Sequence, residues 1–145
     1  MTREANLALV RRSLEEVYNR GDLAAADELF APDFVAWDPT FPKGELRGPE
    51  GVKGNVERGH ASFADWRFEI EDLLCDGDKV VARVTMRGRS KADFLGMPAV
   101  GKEVVVSGIT INRIANGQIV ERWGNWDTVG MLRQFGLLPP LEQIG

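Results

Sequence analysis

"EVVVSGITINRIANGQIVERWGNWD", residues 103–127, alternates apolar and polar side chains on both sides of Asn116–Gly117. Alternation with period two is the pattern of a half-buried strand, and Asn-Gly between two such runs is the strongest short hairpin signal. The stretch therefore predicts two long antiparallel strands joined by a tight turn, a hairpin over 102–126. Just upstream, "WRFEIEDLLC", "DGDK" and "VVARVTMRGR" (residues 66–89) repeat the arrangement with an Asp-Gly turn, predicting a second hairpin over 67–89. On its second strand Arg83, Thr85, Arg87 and Arg89 fall on one face and Val80, Ala82, Val84 and Met86 on the other.

Before residue 63 the period is that of helices. Leu7, Val10, Leu14, Val17 and Tyr18 recur at spacings of three and four, which predicts one amphipathic helix over 3–19 with Arg3, Arg11, Arg12, Glu15 and Glu16 on its wet face. Gly21 is placed to end it, Asp22 to cap a second helix, "LAAADELF", and Pro32 to close that one. A short strand "FVAWDP" and a loop over 39–49 follow, and Pro49 opens a third helix, "PEGVKGNVERGHASF". Helices first and a meander afterwards is the order of an α+β fold, a curved mostly antiparallel sheet wrapped around three amino-terminal helices. The 145 residues fit a single domain, 1–145, and no linker or internal repeat divides them.

Composition narrows the function. With 18 basic against 22 acidic residues, a net charge of −4 and no basic stripe, a nucleic-acid partner is not expected. No apolar run approaches the ~20 residues of a membrane span, and the charged amino terminus and solitary Cys75 suit a cytoplasmic protein. One histidine and one cysteine leave no metal-ligand set, and no glycine-rich phosphate loop is present, so neither a metal nor a cofactor is expected.

Acid–base chemistry is what remains. Uninterrupted alternation along the last strand puts Asp127 on a face with Asn125, Trp123, Glu121 and Ile119, and puts Trp126, Gly124, Arg122 and Val120 on the other. If the first face is concave, Asp127 sits beside an indole and a carboxamide, where desolvation disfavours its charged form and suits it to general acid–base work. The competing reading makes Asp127 the N-cap of a helix "TVGMLRQFG", a position Asp favours. Tyr18 lies on the inner side of the first helix, either as a pocket group or as an ordinary half-buried aromatic, and His60 shares a face of the third helix with Asn55, either pointing inward or standing as an exposed or satisfied helix-end histidine. Trp37 and Trp123 join them as candidate lining groups.

In order and spacing, "VYNRGDLAAADELFAPDFV", "GPEGVK", "FADWRFEIEDLLCDGDKVVARVTMRGR", "DFLGMPAVGKEV" and "GITINRIANGQIVERWGNWDTVGMLRQFG" resemble the SnoaL-like polyketide cyclases of the NTF2-like superfamily. The resemblance implies a conical α+β barrel with a deep pocket, assembled as a homodimer. It also implies a cofactor-free intramolecular aldol closure in which Asp127 is the general acid–base, and Tyr18 and Asn55 face the ligand. The chain departs from the family at Trp37 and Ser90, where many relatives carry His. Two functions follow: a cyclase or isomerase acting on a polyketide-like or other small apolar carbonyl compound, or a non-catalytic module that holds a small apolar ligand or associates with protein. For the homodimer the expected surface is the outer sheet face, assigned on this parity to Trp126, Arg122 and Val120.

Overall fold

The computed structural model describes residues 2–139. Thr2 caps helix α1 (Arg3–Arg12), its hydroxyl accepting from the Ala5 amide at 3.0 Å. The chain continues as a π-helical segment, Ser13–Asn19, so the predicted single α-helix over 3–19 is interrupted. Side chains hold the widened turn from three sides. Ser13 Oγ donates to the Val10 carbonyl at 2.7 Å, His60 Nε2 reaches the Tyr18 carbonyl at 2.7 Å, and Asn19 pairs with both the amide and the carbonyl of Phe68 at 2.7 and 2.9 Å. Because a carbonyl only accepts, His60 carries its proton on Nε2. Gly21, at φ 72°, makes the sharp exit, and Asp22 caps α2 (Leu23–Leu29) by accepting from the Ala25 amide.

Strand β1 (Phe30–Trp37) begins directly after α2, so Pro32 lies inside a strand rather than closing a helix. The pairing register jumps between Phe30 and Val35, and a proline is tolerated where no ladder amide is required. A single turn at Pro42–Gly44 leads into a short strand β2 (Glu45–Arg47), within the stretch read from sequence as loop. Helix α3 (Gly48–Ser62) has Pro49 in its first turn. Next come β3 (Phe63–Asp76), β4 (Lys79–Ser90), β5 (Glu103–Ala115), β6 (Gln118–Trp126) and α4 (Thr128–Gln134). The β5–β6 turn holds Asn116 and Gly117 at φ 52° and 74°, the pair of positive angles that matches the right-handed twist of the strands it joins.

The six strands form one curved mixed sheet in the order β2-β1-β6-β5-β4-β3, left open rather than closed into a barrel. The β1–β6 pairing is parallel and the others are antiparallel. The helices lie in the concavity, where Val10, Val17, Leu29, Val52 and Val56 form one core with the strand residues Phe34, Val80, Val84, Val104 and Ile119, all nearly inaccessible to water.

Register decides which side chains enter that concavity. The β4–β5 pairing runs from Lys79–Arg113 to Arg89–Glu103 without a shift, and the two faces read from sequence hold along β4. Its outward Arg83 pairs with Asp72, and Arg87 with Glu69 and Glu103. Strand β6 behaves differently. Ile114 faces Ile119 but Arg113 faces Glu121, so Val120 is an extra residue, a β-bulge. One extra residue exchanges the faces of everything beyond it. Ile119 therefore points inward together with Arg122, Gly124 and Trp126, while Glu121, Trp123 and Asn125 point out.

Candidate functional site

The concave side of the sheet and the amino-terminal helices enclose a cavity of about 110 Å³. One ordered water needs roughly 10–15 Å³ by this measure, so the space takes a small organic molecule. Its apolar wall is built from Val10 and Leu14 of the first helical segments, Phe68 of β3, Val84 and Met86 of β4, and Val106 of β5. Phe41 from the loop before β2, Phe94 and Leu95 from the β4–β5 connection, and Met131 from α4 complete it. Two glycines make room for large rings at the wall. A Cβ on Gly59 would collide with the Trp66 benzo ring, and one on Gly108 would collide with Trp126.

Polar groups gather on one side. Tyr18, with 3% of its surface exposed, turns its hydroxyl toward β6, where Arg122 Nη2 donates to it at 3.1 Å and Asn55 Nδ2 at 3.4 Å. A phenol oxygen that accepts two hydrogen bonds keeps its own proton for a third partner. The Arg122 guanidinium carbon sits 5.6 Å from the ring centroids of both Tyr18 and Phe34, within cation–π range. Among the described residues no carboxylate pairs with it.

Asp38, 7% exposed, is the one carboxylate among the lining residues. Its Oδ1 accepts from both the amide and the hydroxyl of Thr40, at 2.8 and 2.7 Å. Its Oδ2 lies on the Gly124 side, 3.5 Å from where a Cβ on that residue would stand. A methyl at position 124 would stand in ordinary van der Waals contact with this oxygen. Thr110 and Asn112 of β5 add a further polar pair, 3.2 Å apart.

A family model described as SnoaL-like polyketide cyclase matches residues 8–135, nearly the whole described chain. The chain belongs to that family. It is 29% identical over 130 residues to the aklanonic acid methyl ester cyclase DauD of Streptomyces sp. (strain C5), the match covering 88% of this chain and 80% of DauD. The same identity and length hold for DnrD of Streptomyces peucetius, 88% of which is covered. Among solved structures, TsrD from Streptomyces laurentii superposes with a TM-score of 0.84 at 32% identity, over 95% of this chain and 99% of TsrD.

In this SnoaL-like chain the candidates read from sequence separate into two groups. Tyr18 and Asn55 line the cavity. Asp127, Trp37, Trp123, Asn125 and His60 do not. Asp127 is exposed and caps α4, its Oδ1 accepting from the Gly130 amide at 2.9 Å. The geometry is that of the cap, and the bulge at Val120 turns the expected neighbours Asn125 and Trp123 outward instead of into the cavity. Trp37 and Trp123 lie side by side on the outer face, and Trp37 Nε1 donates to Glu121 at 2.8 Å. His60 is spent on the Tyr18 carbonyl and stands edge-on to Trp66 at 5.1 Å. Ser90, fully buried, accepts from the Val100 amide at 3.0 Å and so holds the connection beyond β4.

Sequence reasoning missed Asp38 and Arg122. Asp38 fell at the end of the short strand "FVAWDP" with no role assigned, and its Thr40 bonds make a turn there. Only the pairing of β1 with β6 brings it beside Gly124. Arg122 was placed on the wrong face by the uncounted bulge.

Proposed function

We propose that the protein is a cofactor-independent polyketide cyclase in which Asp38, rather than Asp127, moves the proton. The observation that carries this reading is that Asp38 is the carboxylate of the cavity lining, with one oxygen fixed by Thr40 and the other on the Gly124 side. Family membership and the resemblance to DauD and DnrD support ring closure as the reaction class. Those relatives are named for a methyl ester, and the substrate class carried over to this chain is a polyketide-like carbonyl compound.

In this reading the Asp38 carboxylate removes a proton from a carbon next to a carbonyl. The developing enolate oxygen accepts the proton-donating hydrogen bond of the Tyr18 hydroxyl, which Arg122 and Asn55 polarise from behind. The enolate carbon then attacks a second carbonyl of the same molecule, forming the ring bond, and the resulting alkoxide recovers the proton from Asp38. Nothing is oxidised or reduced, so no co-reactant is required. We also propose that the protein acts as a homodimer, joined through the outer sheet face that carries Trp37, Ile109, Ile111 and Trp123.

The test is deuterium exchange at the methyl group of 2-acetylnaphthalene in heavy water, which reads proton abstraction without requiring the natural substrate. Asp38→Asn should lower the enzyme-dependent rate by roughly 10²–10⁴, the contribution of a general base, and Asp127→Asn should leave it unchanged. Full exchange activity in folded Asp38→Asn would refute the assignment.

A further inference from the structure

The proton-transfer scheme uses Asp38, the Tyr18 hydroxyl and the one Arg122 N–H that the hydroxyl accepts, but it leaves the rest of the Arg122 guanidinium without a task. Its Nη2 is bound to Tyr18, whereas its remaining N–H groups have no partner among the described residues. A guanidinium stays charged at any working pH, and this one stands half-buried in a mostly apolar cavity wall, where a bound anion would meet its charge in place of water. Stacking between Tyr18 and Phe34 orients the group without neutralising it.

Among the described residues no carboxylate serves these N–H groups: Asp38 is held on Thr40 one inward position further along, ~7 Å of strand from Arg122. Trp66, beside Tyr18 in the same wall, contributes its ring face only, because its Nε1–H is sealed from the cavity.

We propose that Arg122 forms a specificity subsite for an anionic oxygen group of the substrate, a carboxylate, so that the compound closed by this enzyme is a free acid rather than its neutral ester. Arg122 supplies charge and a planar fork of donors that matches a carboxylate. The substrate would then span the cavity with its acid end at Arg122 and its reacting carbon at Asp38. This assignment rests on the cyclase reading for its place in a reaction, but the binding preference can be measured apart from it.

The experiment is isothermal titration calorimetry at pH 7.5 with 2-naphthoate and methyl 2-naphthoate as probes. On wild-type protein the acid should bind at least about tenfold more tightly than the ester, as a charge-assisted pair with little competing water implies. Arg122→Gln should erase the preference, and Arg122→Lys should keep part of it. Circular dichroism and melting temperature verify that each variant is folded. Equal or tighter binding of the ester to wild type, no detectable binding of naphthoate, or a preference that survives in folded Arg122→Gln would each overturn the proposal. A failure of Asp38→Asn to slow deuterium exchange would strike the proton-transfer reading alone and leave the acid preference standing.

Discussion

Replacing Asp127 with alanine separates the cap from a working acid. The residue gives one side-chain hydrogen bond, Oδ1 to the Gly130 amide at 2.9 Å, in an exposed position where water substitutes once it is gone. N-cap losses run from about 0.5 to 2 kcal/mol, and exposure places this one in the lower half, about 0.5–1 kcal/mol. The helix should not detach. Gln134 brackets the Val105 amide and carbonyl at 2.7 Å each, while Met131 and Phe135 are buried in the core. For a chain of this size 1 kcal/mol corresponds to roughly 2–4 °C in Tm. Thermal unfolding followed by circular dichroism should thus show Asp127→Ala melting about 1–4 °C below wild type, with Asp127→Asn near wild type because Asn caps equally well. Deuterium exchange should be unaffected in both. Loss of exchange in Asp127→Asn with Tm unchanged would refute the argument and return the base to Asp127.

Gly59→Ala should destabilise by about 1–3 kcal/mol, the usual cost of overpacking, because the new methyl collides with Trp66; urea titration should show the loss, smaller when Trp66→Leu is added. Hydrogen bonding to Arg12 holds the Glu16 carboxyl below its ordinary range. A depressed carboxylate contributes stability above its unfolded-state pKa and loses it as pH falls through the folded one, so stability should decline below about pH 4.3; Glu16→Gln should flatten that decline in acid denaturation curves, and an unchanged slope would count against the pair. Sedimentation at micromolar concentration should give a species of twice 16.1 kDa. Ile111→Glu, in the outer apolar stripe, should yield the monomer, and a wild-type protein that sediments as monomer would remove the dimer.

By itself the sequence determined the helices-then-meander order, the two hairpins and the α2 cap at Asp22, because each depends on contacts between residues close in the chain. The β4 faces were legible for a similar reason: its pairing with β5 runs without interruption, so period two carries from end to end. Even Asp127 was legible as a cap, since capping is decided within four residues. The tertiary structure decided the site. Which face of β6 meets the cavity turned on the extra residue Val120, and a bulge is a property of two paired strands that no periodicity in one of them announces. Asp38 became a pocket acid because a parallel pairing joins β1 to β6 across some eighty residues of chain. Arg122 came to face Tyr18 across the same concavity, from opposite ends of the sequence. Local chemistry is written along the chain, whereas the juxtaposition of acid, cation and phenol exists only once the sheet has curved around the helices.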